Sequence, residues 1–205
     1  MFDSLIVQFV VLWAVIDPIG SIPVYLAKTN HLSAAERHKV ALKAVGIATI
    51  ILLFFLVAVQ SLFEMMRIPL SAFQIAGGLV LLIFALTMIF GEGKPENEIK
   101  MQTSLSELAV YPLAVPSIAS PGAMMAIVLL TDNHRFSLTD QFITTLIMLA
   151  VLLITYFLLL AASKIQNVIG SVGASVISRV MGLILAAVAV NNLLVGIQQF
   201  FGLAS

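Results

Sequence analysis

The chain has 205 residues, 61% of them hydrophobic, with ten basic and ten acidic side chains, zero net charge and a mean hydropathy of +1.13. Such composition excludes a soluble globule of this size, and the balanced charge offers no basic face for nucleic acid; it belongs to a chain whose main partner is the lipid bilayer. The absence of cysteine excludes thiol redox chemistry and cysteine-linked haem.

Apolar stretches of roughly 20 residues cross about 30 Å of hydrocarbon. Six are present, at 5–27, 40–63, 69–90, 109–131, 141–162 and 177–201, so the expected fold is an all-α membrane protein with six transmembrane helices and no soluble domain. The opening MFDSLIVQF has no basic n-region and its apolar run is too long for a cleaved leader, so it reads as a retained first span.

That first span is interrupted by DPIGSIP, residues 17–23. Asp17 is a favoured N-cap and Pro18 fits a first helical position, so a new helix is expected from Pro18. Gly20, lacking a Cβ, allows close approach to main chain, and Ser21 and Pro23 complete the segment. The following stretch SAAERHKVALK (33–43) opens with a capping-box pattern, Ser33 and Glu36. His31 and His38 have no further nearby ligand, so no metal site is expected there. In the third span Gly77, Gly78 and, in the sixth, Gly182 are expected at close helix crossings. Gln74, Thr49, Thr144, Thr145 and Thr155 are expected to pack or bond back to the backbone.

The polar run GEGKPENEIKMQTS (91–104) divides the chain into 1–95 and 96–205. Beyond it, YPLAVPSIASPGAMM interrupts the fourth span, and Pro116, Ser120, Pro121 and Gly122 repeat the cap-proline-glycine grammar of the first break. His134, in the turn TDNHRFS, reads as solvated. Asn191 and Asn192 interrupt the sixth span, as interhelical glue or as substrate contacts.

Basic residues alternate by side. Lys28, Arg37, Lys39, Lys43, Lys94, Lys100, Lys164 and Arg179 follow spans one, three and five, while only Arg67 and Arg135 lie opposite. The first group is expected in the cytoplasm and both termini outside.

Asp17 and Ser120 are 103 positions apart, and AGGLVLLIFAL (76–86) aligns with VMGLILAAVAV (180–190) at an offset of 104, placing Gly78 over Gly182. Two landmarks at nearly one offset predict two three-helix repeats. Three spans per copy invert the second, the plan of many secondary transporters, with helices one and four discontinuous. A break inside a span must be buried in protein or line a cavity, and the helix N-termini at the breaks favour an anionic group such as a carboxylate. Asp17 costs more than its capping role returns: a central carboxylate costs about 2.5–3.5 kcal/mol on insertion scales, against about 1 kcal/mol for a cap. A coupling cation, proton or Na⁺, or a substrate amine is the expected use; helix capping alone is the alternative. Zinc-protease, Walker and nucleophile-elbow motifs are missing, so an enzyme is not expected, nor any cofactor beyond a coupling ion.

DPIGSIP (17–23), PLAVPSIASPGA (112–123), AGG (76–78), RVMGLIL (179–185) and VGI (195–197) resemble the MarC family of bacterial and archaeal inner-membrane proteins, over essentially the whole chain. The resemblance implies six spans, kinship with lysine-type amino-acid exporters, and a branch that handles small neutral amino acids. Ser120 stands where many relatives have Gly, and Asn191 where many have Gln, so the substrate can differ in size. A channel or passive pore, or a membrane interaction protein that moves nothing, are the alternatives to a transporter. GSVGAS (170–175) suits a dimer seam or internal packing, which leaves homo-oligomerisation open.

Overall fold

A computed structural model describes residues 2–66, 69–90, 104–133 and 135–202. Arg67, His134 and most of the 91–104 linker, with Lys94 and Lys100, lie outside these residues. Among the described residues the regular structure is entirely helical: α1 Phe2–Ile16, α2 Ser21–Thr29, α3 Ala34–Met65, α4 Leu70–Phe90, α5 Leu105–Leu108, α6 Pro121–Leu130, α7 Leu138–Leu160 and α8 Ala162–Phe200, with wide π-type turns over Ala109–Ile118 between α5 and α6.

Among the described residues five stretches are long and apolar enough to cross a membrane: Leu5–Thr29, Ala34–Val59, Ser71–Phe90, Leu138–Leu160 and Ser175–Phe200. A sixth is the bent pair Leu105–Ile118 and Pro121–Leu130, which meet at 56°. The chain is an integral membrane protein. The sixth expected span, 177–201, agrees with the crossing segment Ser175–Phe200; α8 itself is longer, beginning at Ala162, and Gly170, at φ +69° and ψ 172°, interrupts it before that segment.

Helix starts are set by local chemistry. At α3, Ser33 N–H and Oγ–H donate to Glu36 Oε2 at 2.9 and 2.7 Å while Glu36 N–H donates to Ser33 Oγ at 3.4 Å. At α7, Ser137 and Asp140 make the same reciprocal set, at 3.1, 2.6 and 3.3 Å. In both places the next residue reaches back five positions. Arg37 Nε donates to Leu32 O at 3.2 Å, and Gln141 Nε2 to Phe136 O at 3.2 Å. Each also bonds eight positions back, Arg37 to Thr29 O at 2.8 Å and Gln141 to Asn133 Oδ1 at 3.0 Å.

Lipid provides no hydrophobic drive between helices, so close packing decides their pairing. The antiparallel helices α4 and α8 cross at glycines: a Cβ on Gly78 would lie 3.0 Å from Ala189 O and 2.8 Å from Leu193 Cγ, and one on Gly182 would lie 3.1 Å from Ala85 O and 3.0 Å from Ile89 Cγ1. Gly196 is equally crowded by Ile75 Cγ1 at 2.9 Å. Thr49, Thr145 and Thr155 bond back to Val45 O, Gln141 O and Val151 O at 2.7, 2.7 and 2.8 Å, which removes their hydroxyls from lipid. Thr144 Oγ1 lies 3.0 Å from Asp140 O and 3.2 Å from Gln8 Oε1 of α1, and its single proton serves one or the other.

Candidate functional site at the crossing of two chain breaks

Helix α1 closes with Asp17 N–H donating to Trp13 O at 3.0 Å, and Asp17 then takes the left-handed conformation at φ +48°. Asp enters this region more readily than bulky residues. From that turn its side chain folds forward: Asp17 Oδ1 accepts from Gly20 N–H at 3.0 Å. Its carbonyl accepts from Ser21 N–H at 3.1 Å and from Ser21 Oγ–H at 3.0 Å.

Residues 18–20 form a turn, with Ile22 N–H on Ile19 O at 3.1 Å, so regular helix starts at Ser21 and not at the expected Pro18. Gly20 also has a different reason from the expected one. A Cβ there would collide with the Asp17 carboxylate, so its bareness makes room for Asp17.

The second break has other chemistry. Tyr111 (φ −129°, ψ 126°) and Val115 (φ −131°, ψ 127°) are extended, each immediately before a proline, which disfavours helical geometry in the preceding residue. The chain re-enters helix through Ser120, at φ −71° and ψ 157°, whose Oγ accepts from Ala123 N–H at 3.0 Å, with Pro121 in the first helical position. Gly122 is packed rather than open: a Cβ would sit 3.0 Å from Leu81 Cδ1 and 3.1 Å from Phe84 Cδ1.

The two breaks touch. Ser120 Oγ–H donates to Val15 O at 2.8 Å, so one hydroxyl serves the first turn of α6 and the last turn of α1, both of which have unpaired backbone groups. Ser117 Oγ–H donates to Ser21 Oγ at 3.0 Å, and Ser21 Oγ lies 3.4 Å from Ser117 O. Asp17, Ser21, Ser117 and Ser120 are 3%, 0%, 1% and 0% exposed. The result is a buried group of hydroxyl and carbonyl oxygens with one carboxylate, set among apolar side chains.

A family profile described as MarC family integral membrane protein matches residues 2–201. The chain belongs to the MarC family. Curated MarC relatives run the full length. A UPF0056 membrane protein of Methanocaldococcus jannaschii is 35% identical over 196 residues, covering 94% of this chain and 95% of its own. YhcE of Escherichia coli K12 is 33% identical, covering 94% and 91%. YvbG of Bacillus subtilis is 31% identical, covering 98% and 97%. These names state a membrane protein and no substrate. No solved structure matches this MarC chain.

Of the residues singled out in the sequence, the MarC fold gathers Asp17, Pro18, Gly20, Ser21, Ser120 and Gly122 at or beside the crossing. Pro23 is half-buried, and Pro116 and Pro121 are exposed on the second break. Asn191 is exposed and Asn192 half-buried on α8. Sequence reasoning missed Ser117. Its only signal was a second hydroxyl three residues before Ser120 in PSIAS.

Proposed function

We propose that this MarC protein is a secondary transporter of small neutral amino acids or related small zwitterions, coupled to a proton or Na⁺ gradient, with its site where the two breaks meet. The observation that carries this reading is the Ser120–Val15 and Ser117–Ser21 contact between two interrupted spans. A zwitterion suits the chemistry: its carboxylate faces the N-terminal turns of α2 and α6, and its amine faces Asp17.

The inverted-repeat plan, 1–95 against 96–205, draws support from recurrences 104 positions apart. Ser33, Glu36 and Arg37 correspond to Ser137, Asp140 and Gln141, and Leu32 O to Phe136 O. The crossing glycines obey the same shift: Gly78 meets Ala189 and Leu193, and Gly182 meets Ala85 and Ile89, the pairs a two-fold relation between the third spans requires. With an odd number of spans in each copy the second runs inverted, and the helices broken at Asp17 and Ser120 are equivalent. In a bacterial plasma membrane both termini then face outward, with Arg37 inside.

The test is uptake and counterflow of radiolabelled glycine and alanine in proteoliposomes under imposed proton or Na⁺ gradients. Gradient-driven flux that Asp17→Asn abolishes supports the reading. Normal coupled flux in Asp17→Asn, or no flux in folded wild type, refutes it.

A further inference from the structure

We infer that the crossing of the breaks is a sodium site whose ligands are Asp17 O, Ser21 Oγ, Ser117 Oγ and Ser117 O. This rests on reading the breaks as the transport site, and it commits the coupling cation to Na⁺.

Ser21 Oγ is the centre of the group, 3.0 Å from Asp17 O, 3.0 Å from Ser117 Oγ and 3.4 Å from Ser117 O. These four oxygens come from both breaks. A serine hydroxyl has one proton, so Ser21 donates to one carbonyl at a time, and the shorter distance selects Asp17 O. A cation is served by all four oxygens at once.

Na⁺ is close to Ca²⁺ in radius, and oxygen ligands stand about 2.3–2.6 Å from a cation of that size, which separates neighbouring ligand oxygens by about 3.3–3.7 Å. The observed spacings of 3.0–3.4 Å reach that range if the oxygens part by a few tenths of an ångström.

Charge and donor type favour the same ion. The Asp17 carboxyl is held on Gly20 N–H, the residue before Ser21, and in its ionised form supplies the one negative charge that balances a monovalent cation. The C-terminal turn of α1, carrying Val15 and Ile16, adds the negative end of a helix dipole opposite the positive end of α2 at Ser21, so the Asp17 carboxyl sets the balance of charge. Uncharged hard oxygens with a single carboxylate suit a monovalent cation; soft metals select thiolate or imidazole, and the chain has no cysteine. Unwound carbonyls and half-helix C-termini are the groups by which broken helices hold Na⁺ in membrane transporters.

The experiment is thermal unfolding of the purified full-length protein in NaCl, KCl or choline chloride at equal ionic strength. Na⁺ at ten times its dissociation constant is expected to raise Tm by about 3–6 °C over choline. Ser21→Ala and Ser117→Ala each abolish that rise, and Ser21→Thr, which keeps the hydroxyl, retains part of it. Ser33→Ala removes a helix cap away from the crossing, so it lowers Tm yet keeps the full Na⁺ increment, which separates lost folding from lost ligand.

Equal rises in all three salts, or a Na⁺ rise that survives in both serine-to-alanine variants, overturn the site. Alanine flux in the same preparation keeps the two readings apart. Coupled flux without a Na⁺-specific rise overturns the sodium site and leaves the transporter; a Na⁺-specific rise lost in both variants, without alanine flux, supports the sodium site and removes the small-zwitterion reading.

Discussion

The two breaks solve one problem in different ways. At the first, a single residue turns the chain: Asp17 takes a left-handed backbone and its own carboxylate accepts from Gly20 N–H. At the second, two pre-proline residues, Tyr111 and Val115, unwind a longer stretch, and the closing cap is the neutral hydroxyl of Ser120, which also reaches α1. A hydroxyl therefore suffices to restart a helix at a buried break. A carboxyl at Asp17 is more than that task needs, and the comparison sets a neutral cap beside the acidic group to which the proposed transport assigns a role.

The largest stability effect is expected from Ser120→Ala. It removes the α6 cap, worth about 1 kcal/mol, and strips Val15 O of its donor in a buried place, worth about 1–3 kcal/mol. The sum, about 2–4 kcal/mol, is readable from reversible denaturant unfolding in mixed micelles. Asp17→Asn keeps an acceptor for Gly20 N–H and removes an ionisable group from a buried place, so its unfolding free energy is expected to stay level or rise while the proposed gradient-driven flux is lost. A large destabilisation by Asp17→Asn would make the two breaks alike and remove the contrast.

Glycine substitutions sharpen it at the next level. Gly20→Ala drives a methyl into the Asp17 carboxylate and is expected to cost about 1–3 kcal/mol, as overpacking does. In an Asp17→Ala background most of that cost should vanish, because the two groups compete for one space, and the double-mutant cycle reads the coupling directly. Gly122→Ala meets the Leu81 methyl and the Phe84 ring edge, which can shift by a few tenths of an ångström, so a smaller cost of about 1 kcal/mol is expected.

The membrane class was legible because hydropathy acts locally, and the punctuation of DPIGSIP falls between α1 and α2 and that of ASPGA at the start of α6. The role of Ser120 as cap followed from its place before Pro121. Its bond to Val15 O, 105 positions away, did not, because no local pattern records which carbonyl a hydroxyl will meet. Gly20 and Gly122 misled for a related reason: a missing Cβ signals closeness, and the sequence does not say whether ligand, carboxylate or Leu81 comes close. Ser117 was passed over because it neither caps nor precedes a proline; its importance arises from Ser21 across the crossing. Ser137 and Asp140 carried a capping box as legible as that of Ser33 and Glu36, and their bonds fall at positions the proposed repeat would match.

The corners yield the finest comparison, and Gln141 the smallest effect. Arg37 grips the end of α2 through Thr29 O at 2.8 Å, Asn30 O at 2.8 Å and Leu32 O at 3.2 Å, and it touches Ser163 at 3.4 Å. Gln141 has the same reach with fewer donors and no charge, bonding Asn133 and Phe136. Both are half-buried, so water replaces part of what is lost on truncation. Arg37→Ala is expected to cost about 1–2 kcal/mol and Gln141→Ala about 0.5 kcal/mol in the same unfolding assay. Arg37→Gln should fall between wild type and Arg37→Ala, since a shorter amide keeps the contact five residues back and gives up the fork on Thr29 and Asn30. If Arg37→Gln proved as damaging as Arg37→Ala, the two corners would not be working copies of one design, and the inverted repeat would lose its support at the ends of the bundle.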